Sequence, residues 1–382
     1  MTSIDTTKGL AARLGGWSAR HKKSVLVGWF VFVALAIMVS SFVPANKLTK
    51  ADQFTGESGR AEKTLESNFP KPAAELVLIH SATLTADDVT FKHAIKQTTA
   101  GFAGLSMVDH LKAPGYGSST GLVSKDRHTA MIQFDIKGDA DTASDRIAPV
   151  LATIKSAQAA NPSLRIEEFG DATSGAAIDK KVAGDLKKAE TMSLPVTLII
   201  LVLAFGAIVA AGVPVLLAVS AVLATIGLVS IPSQIFPIDD NASIVITLIG
   251  MAVGVDYSLF YLKRQREERA KGHDELTSVA IASATSGRAI LVSGFTVMVA
   301  MAGQFLTGDK SSTSFAVGTI MVVAVAMLGS LTALPAALAL LGRHVDKGRI
   351  RIPFRPRKPK QQESRIWGVV LTRVLRRPVA AV

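Results

Sequence analysis

An aspartate followed by a tyrosine lies inside a long apolar stretch of this chain. Asp256 and Tyr257 occur within residues 242–262, which read ASIVITLIGMAVGVDYSLFYL. That stretch is long enough to cross a bilayer as a helix, because about 20 residues rising 1.5 Å each span the hydrocarbon layer. A carboxylate inside such a span costs on the order of 3 kcal/mol, and residues of this kind mark proton and ion pathways. The pair therefore predicts a proton relay, with Asp256 taking up and releasing the proton and the Tyr257 hydroxyl assisting.

The other small and polar residues of this region predict what surrounds the pair. Gly250 and Gly254 have the four-residue spacing that lets a second helix pack closely. Ser293 lies five residues beyond Arg288, which marks the cytoplasmic end of the next apolar run, so its depth resembles that of Asp256. We expect Ser293 to be a relay neighbour, the alternative being a hydroxyl bonded to its own backbone. The alternative for Asp256 is a carboxylate held by a neighbouring hydroxyl or cation for packing alone.

The composition excludes several classes of protein. Of the 382 residues, 49% are hydrophobic and 19% are charged, and the mean hydropathy is +0.36, values unlike those of a soluble enzyme. The net charge is +12, but the Lys and Arg residues cluster at the ends of apolar runs, as topology determinants do. This distribution argues against a nucleic-acid partner.

The sequence also offers no means of cofactor or metal chemistry. There is no cysteine, which excludes disulfides and thiolate metal sites, and no metal-binding motif is present. The nearest approach to a phosphate-binding loop, residues 303–311, is broken because Asp309 separates Gly308 from Lys310. We therefore predict a non-enzyme without cofactor or metal, energised by an ion gradient or by a partner.

Six apolar runs are long enough to span a membrane. The first is longer than the core of a signal peptide and is interpreted as a retained anchor. Basic segments at residues 8–23, 263–271 and 343–360 fall on one side, which predicts a cytoplasmic N-terminus. The six runs are residues 25–43, 194–212, 213–231, 242–262, 289–306 and 315–341.

A polar stretch between the first two spans is predicted to fold outside the cytoplasm. Its pattern indicates four strands and two helices in the order strand–helix–strand–strand–helix–strand, which is a ferredoxin-like βαββαβ unit. Residues 171–190 then read as a polar helix that leads into the second span. The predicted strands are residues 74–80, 105–111, 128–136 and 163–169, and the helices are residues 86–102, with Thr85 as N-cap, and 141–160, with a kink at Pro149.

The two ends of the chain resemble each other. Trp17 and Trp367 each precede a basic cluster and an apolar run, so we interpret residues 378–382 as the start of a seventh span. Internal repetition is common in transporters, and the chain is interpreted as a truncated N-terminal half. The predicted map is a cytoplasmic segment (1–24), the first span (25–43), an extracytoplasmic porter-like domain (44–191), spans two to six (194–342), a basic cytoplasmic loop (343–377) and the truncated span (378–382).

The stretches at residues 250–268, 283–305 and 331–342, with the segment 56–70, resemble the MMPL family of the resistance–nodulation–division transporters. The resemblance implies a multi-pass α-helical protein of the bacterial inner membrane that exports lipids or other hydrophobic molecules, with protons as the coupling ion. It also implies that Asp256 and Tyr257 match the family's relay pair, and that a second half with its own pair is missing here. The partners expected are therefore the hydrophobic substrate, membrane lipids, and the missing C-terminal half or a second copy.

Two other functions are compatible with the same sequence. One is a proton-driven accessory of protein translocation, as in the related SecDF group. The other is a membrane scaffold or sensor that transports nothing, for which Asp256 has no role. The sequence does not identify substrate contacts.

Overall fold

The structure is a computed structural model that describes residues 9–49, 52, 54–69, 72–115 and 121–346. The predicted basic loop from residue 347 onward, the seventh span and Trp367 lie outside the described residues. The described chain forms a helical bundle and a separate α+β unit that is inserted after the first long helix. The helices of the bundle are α1 (Leu10–Arg20), α2 (Lys22–Phe42), α6 (Asp171–Phe205), α7 (Ile208–Leu228), α8 (Ala242–Ala270), α9 (Glu275–Ala282), α10 (Arg288–Ala302), α11 (Lys310–Leu331) and α12 (Ala333–Leu341).

Five helical segments among the described residues are long and apolar enough to cross a membrane. Each is at least 21 residues long, which exceeds the length that spans the hydrocarbon layer. The chain is therefore a multi-pass membrane protein. The segments are Lys22–Phe42, Ile208–Gln234, Ala242–Ala270, Glu275–Thr307 and Lys310–Leu341.

The second predicted span is wrong in its bounds. Residues 194–212 include Gly206, whose left-handed backbone (φ 68°) ends α6 at Phe205. Glycine adopts this conformation at helix ends without a steric penalty. The apolar part of α6, Thr191–Leu203, is shorter than the five segments above, and it continues the predicted polar helix in one 35-residue helix.

The fifth and sixth predicted spans are not single regular helices in the structure. The fifth begins earlier than expected, at Glu275, and passes through one π-helical turn at Ser283–Gly287 before α10. The sixth is interrupted at Thr332, whose backbone (φ −122°, ψ −67°) separates α11 from α12. Such interruptions leave no mark in a hydropathy profile, because the residues on either side are equally apolar.

The inserted unit carries a four-stranded antiparallel sheet in the order β2-β3-β1-β4. With a helix after β1 and another before β4, this is the ferredoxin-like order. Alternate residues of β1 and β3 are buried, as expected for strands with one face on a core, and Phe91, Phe102 and Phe134 fill that core. The elements are α3 (Gly56–Asn68), β1 (Ala73–His80), α4 (Val89–Ala103), β2 (Val108–Lys112), β3 (Thr129–Ile136), α5 (Ala148–Ala160) and β4 (Arg165–Gly170).

Both helices of this unit begin later than the sequence predicts. Helix α4 starts at Val89 after Asp88, and the Asp88 carboxylate accepts hydrogen bonds from the backbone and hydroxyl of Thr85, so Thr85 is not the N-cap. The second helix is split into a 3-10 turn, Ala140–Arg146, and α5. Pro149 lies in the first turn of α5, where its missing N–H costs no hydrogen bond.

Helix α6 connects the sheet directly to the bundle, and a buried carboxylate of the sheet holds its first turn. Glu75 on β1 accepts hydrogen bonds from the backbone N–H of Ala172 (2.6 Å) and of Thr173 (3.3 Å). A negative charge at this position satisfies N–H groups that have no partner in the helix. Glu168 on β4 lies beside Glu75 and the Thr173 hydroxyl. Both of its carboxylate oxygens are buried, and neither has a hydrogen bond of regular geometry to any described residue. Burial, with a smaller contribution from Glu75, raises the pKa of Glu168 to about 7.

A second set of contacts ties the unit to the bundle at the same end. The Asp52 carboxylate forms ion pairs with Lys63 on α3 (2.9 Å) and with Lys310 at the start of α11. Although burial opposes it, these two lysines hold the pKa of Asp52 well below its usual range. Lys47 pairs with Asp240 in the loop before α8 (2.9 Å). We call this end of the bundle the sheet end, and the opposite end, where α1 lies, the α1 end.

We expect Gly227→Ala to destabilise the bundle, because α2 and α7 cross where only a glycine fits. A Cβ atom on Gly227 would collide with the carbonyl group of Ala36. Overpacking against a backbone costs about 1–3 kcal/mol, which thermal unfolding of the reconstituted chain measures. Gly212→Ala on the same helix is the matched control, because a Cβ there meets nothing within 4 Å. Equal unfolding temperatures for the two variants would contradict the proposed contact.

We expect the β4–α6 junction to weaken as pH rises. The pKa of Glu168 is about 7 in the folded chain, against 4.5 for the free group, so the stabilisation is complete below pH 4.5 and is lost as pH rises through 7. Hydrogen exchange of residues 165–176, corrected for the intrinsic rate, should show about tenfold lower protection at pH 8 than at pH 5. Glu168→Gln should remove this dependence.

Glu167→Gln is the control for that experiment. Glu167 is the neighbouring residue, but it is exposed and pairs with Arg165 (2.6 Å). This variant should keep the pH dependence of the wild type. A Glu168→Gln chain that still loses protection at pH 8 would show that another group titrates at the junction.

Candidate functional site

Helix α8 has one buried face and one uncovered face, and the two faces carry different residues. The face against α7 and α11 is buried and carries small and aromatic residues. Four residues at four-residue intervals form an uncovered stripe along the opposite side, because positions four apart lie on one face of a helix. This stripe consists of Leu248, Ala252, Asp256 and Phe260. The sequence places both polar members of the predicted pair on this helix, but on different faces.

The Asp256 carboxylate lies on the uncovered stripe. It is 14 residues from Ala242, which puts it about 21 Å along the helix axis. Its side chain is exposed. Within the described part of the chain, Asp256 forms no hydrogen bond and no ion pair, so no cation of the described residues holds it in place.

Tyr257 lies on the buried face, about 100° around the helix from Asp256. Only 6% of its surface is exposed. Its hydroxyl points at α10, where Ser293 is near enough to hydrogen-bond with it. A Cβ atom added to Gly294 would lie 3.3 Å from the same hydroxyl. Gly294 therefore leaves the space that the tyrosine occupies.

Ser293, the predicted relay neighbour, lies beside the hydroxyl of Tyr257. The side chain of Ser293 is exposed on α10, on the same side of the bundle as the uncovered stripe of α8. Asp256, Tyr257 and Ser293 thus lie in one region of the bundle. The tyrosine hydroxyl and the serine lie close together, while the carboxylate points outward.

The two glycines of α8 lie at its closest contacts with neighbouring helices. A Cβ atom on Gly254 would be 2.9 Å from the Ala218 side chain and 3.0 Å from its Cα atom, on α7. On Gly250 it would be 2.5 Å from Val322 on α11 and 2.6 Å from Val222 on α7. These contacts fix the rotation of α8, and the rotation decides which way Asp256 points.

Sequence reasoning missed a polar column that continues from Tyr257 toward the α1 end. Tyr261, fully buried, donates to the carbonyl of Val279 (3.1 Å) and hydrogen-bonds with Ser283 in the π-helical turn. Gln265 is also fully buried, and neither of its amide atoms has a hydrogen-bond partner among the described residues. The available signal was the four-residue spacing of Tyr257, Tyr261 and Gln265, which places three polar side chains on one helix face.

The described residues contain no group of three or more His, Cys, Asp or Glu side chains that could hold a metal ion. The polar groups of the site are a carboxylate, a phenol hydroxyl and a serine hydroxyl, which form hydrogen bonds. A carboxylate and a phenol hydroxyl can both exchange protons.

Comparison with known proteins agrees with the architecture. A family model described as the MMPL family matches residues 50–381. A mycolic acid-containing lipids exporter, MmpL11 of Mycolicibacterium smegmatis, is 28% identical over 97% of this chain and 39% of its own length. A heme uptake protein, MmpL11 of Mycobacterium tuberculosis, is 38% identical over 59% of this chain and 23% of its own length.

A solved structure shares the fold. The hedgehog release protein Disp from the water bear Hypsibius dujardini superposes with a TM-score of 0.60 at 14% identity, over 87% of this chain and 49% of that chain. The chain thus spans less than half of the length of each of these proteins.

Proposed function

The chain belongs to the MMPL family of membrane transporters, and we propose from this premise that it takes part in proton-driven export of lipids or other hydrophobic molecules. The proposed location is the bacterial inner membrane, with the α1 end in the cytoplasm and the sheet end outside. The basic segment that ends α8 lies at the same end as α1, in agreement with the positive-inside rule.

The observation that carries the proposal is the position of Asp256. A carboxylate about 21 Å into a membrane-spanning helix is costly, so it persists where a function offsets the cost. No cation of the described residues holds the carboxylate, and we propose that it gains and loses the coupling proton. Tyr257 at the next position of α8 and Ser293 on α10 offer two neighbouring hydroxyls for the proposed proton path.

The cargo proposed is a molecule with a large apolar part. One relative is named for the export of mycolic acid-containing lipids and another for heme uptake, so the names agree on an apolar cargo but differ in direction. We propose that the ferredoxin-like unit is the porter domain that passes the cargo outside the membrane. Two links connect it to the spans, namely helix α6 and the ion pairs of Asp52.

We further propose that protein covers the stripe around Asp256. An uncovered carboxylate facing lipid would carry the full cost of the charge, whereas facing helices can hydrate it or bond to it. The covering protein is either chain beyond these 382 residues or a second copy. The relatives' greater length supports the first of these.

We expect Asp256→Asn to abolish transport while the chain still folds. The amide is close in size to the carboxylate but cannot carry the proton. Export of a mycolic-type lipid by cells that depend on the whole transporter should fall about 100-fold, the contribution typical of a placed proton-transfer group. Tyr257→Phe should give a smaller loss, since Asp256 remains.

The control for this test is Asp185→Asn, which neutralises a carboxylate on α6 that is exposed and paired with Lys181 (2.8 Å). This variant should export normally. Normal lipid export by the Asp256→Asn variant would refute proton coupling through this residue and favour a scaffold. Normal lipid export together with failed protein secretion would favour the translocation accessory.

We expect a probe beside Asp256 to be shielded from lipid. The chain has no native cysteine, so a nitroxide can be attached at Ala252→Cys alone, one turn before Asp256. Its collision rate with oxygen dissolved in the bilayer should be several times lower than that of a nitroxide at Leu35→Cys, which is exposed on α2. Equal collision rates in the assembled transporter would mean that lipid, and not protein, covers the stripe.

A further inference from the structure

Helix α1 lies at the end of the bundle and uses only part of its surface for packing. Its buried face consists of small residues, Ala11, Ala12, Gly15, Ser18 and Ala19. The contact is close, because a Cβ atom on Gly15 would collide with Ser283. The helix is therefore fixed against the bundle, and its remaining faces are free to meet other molecules.

The uncovered side of α1 is apolar along one edge. Leu10 and Trp17 are 70% and 51% exposed, and Leu14 lies between them one turn from each. Only His21 separates α1 from α2, which starts at Lys22 and crosses the membrane. Helix α1 must therefore lie near the surface where the first span leaves the bilayer. An exposed apolar edge with a tryptophan is typical of helices that rest in the membrane interface.

The flank of α1 next to that edge is basic and faces a groove. Arg13 and Arg20 are two turns apart on this flank, about 10 Å along the axis, with Gly16 between them. Helix α9 forms the opposite wall with Leu276, Thr277 and Ala280. The open groove measures about 450 Å³, within the range of small-molecule sites.

Among the described residues that line the groove, two are arginines and none is acidic. The Arg13 side chain has no hydrogen bond or ion pair within the described part of the chain, and Arg20 uses its Nε atom to donate to the Gly16 carbonyl (3.1 Å). The two acids at the start of α9 do not line the groove. Asp274 caps its own helix, and the Glu275 carboxylate is directed toward Gly342. Two guanidinium groups thus remain available to an anion.

We propose that this α1–α9 groove binds the phosphate of an anionic phospholipid from the adjoining membrane leaflet. Arg13 and Arg20 hold the phosphate from its two sides, since guanidinium groups donate paired hydrogen bonds to phosphate oxygens. Gly16 provides the space between them, because a Cβ atom there would meet nothing within 4 Å. The acyl chains lie along the exposed Leu276 and the apolar edge of α1. This lipid is a resident of the membrane surface and is distinct from the exported cargo.

The test is native mass spectrometry of the full chain, titrated with phosphatidylglycerol or with phosphatidylcholine. The wild type should retain phosphatidylglycerol in preference to phosphatidylcholine. The double variant Arg13→Gln/Arg20→Gln should bind phosphatidylglycerol about 30-fold more weakly, because each basic residue near an anionic surface contributes about fivefold. Unchanged affinity in this variant would overturn the proposal.

A double variant with the same change of charge is the matched control. Lys23 and Arg288 are exposed at the same end of the bundle but do not line the groove, so Lys23→Gln/Arg288→Gln should bind like the wild type. An equal loss in both double variants would mean that binding follows net charge alone, which contradicts a site.

Two further measurements test whether the groove is the binding site and whether the bound phosphate belongs to a lipid. Gly16→Leu keeps both arginines but fills the space between them, and it should weaken phosphatidylglycerol binding as the arginine variant does. Inorganic phosphate at 10-fold excess over the lipid should not displace it, because it lacks the acyl chains. Displacement by inorganic phosphate would overturn the lipid as ligand, and normal binding by Gly16→Leu would overturn the groove as its site.

Discussion

The structure depends on how one helix is rotated within the membrane. Gly250 and Gly254 let α8 pack against α7 and α11 at distances that a larger side chain would prevent. That close packing fixes which residues of α8 face the bundle, and it leaves Asp256 on the opposite side. Within the described part of the chain, no cation or hydrogen-bond donor relieves the electrostatic cost of this carboxylate. In the proposed transporter, a facing protein surface would lower that cost by hydrating the carboxylate or bonding to it.

Two structural links connect the sheet to the bundle. Helix α6 begins in the sheet, where Glu75 holds its first N–H groups, and continues as one helix into the bundle. A helix transmits displacement along its axis because its backbone hydrogen bonds resist bending. The Asp52 ion pairs join the same unit to the start of α11, which packs directly against α8. A movement of α8 or α11 upon protonation would thus reach the sheet by two routes, one through each link.

Much of the fold could be predicted because membrane spans and strands have strong periodic or compositional signals. The apolar runs located every long helix, and the alternation in β1 and β3 indicated the sheet. The bounds at Gly206 and Thr332 could not be predicted, since a single residue's backbone angles decided them. The direction in which the Asp256 side chain points could not be predicted either. In a membrane helix the lipid-facing and protein-facing residues are both apolar, so periodicity does not distinguish the faces as it does in water. The position of Ser293 beside Tyr257 could not be predicted for the same reason, because it depends on the rotation of α8.

The separation of Asp256 from Tyr257 has a mechanistic consequence. Adjacent residues on a helix point about 100° apart, so the carboxylate belongs to the uncovered stripe and the phenol to the contact with α10. The carboxylate and the phenol therefore lie on two different surfaces of α8. A change in the packing of α10 would alter the environment of Tyr257 without moving Asp256. A change in the proposed covering protein would alter the environment of Asp256 without moving Tyr257. In the proposed mechanism, a proton that passes between them would cross from one interface to the other. The packing at both interfaces would then control the proposed proton transfer.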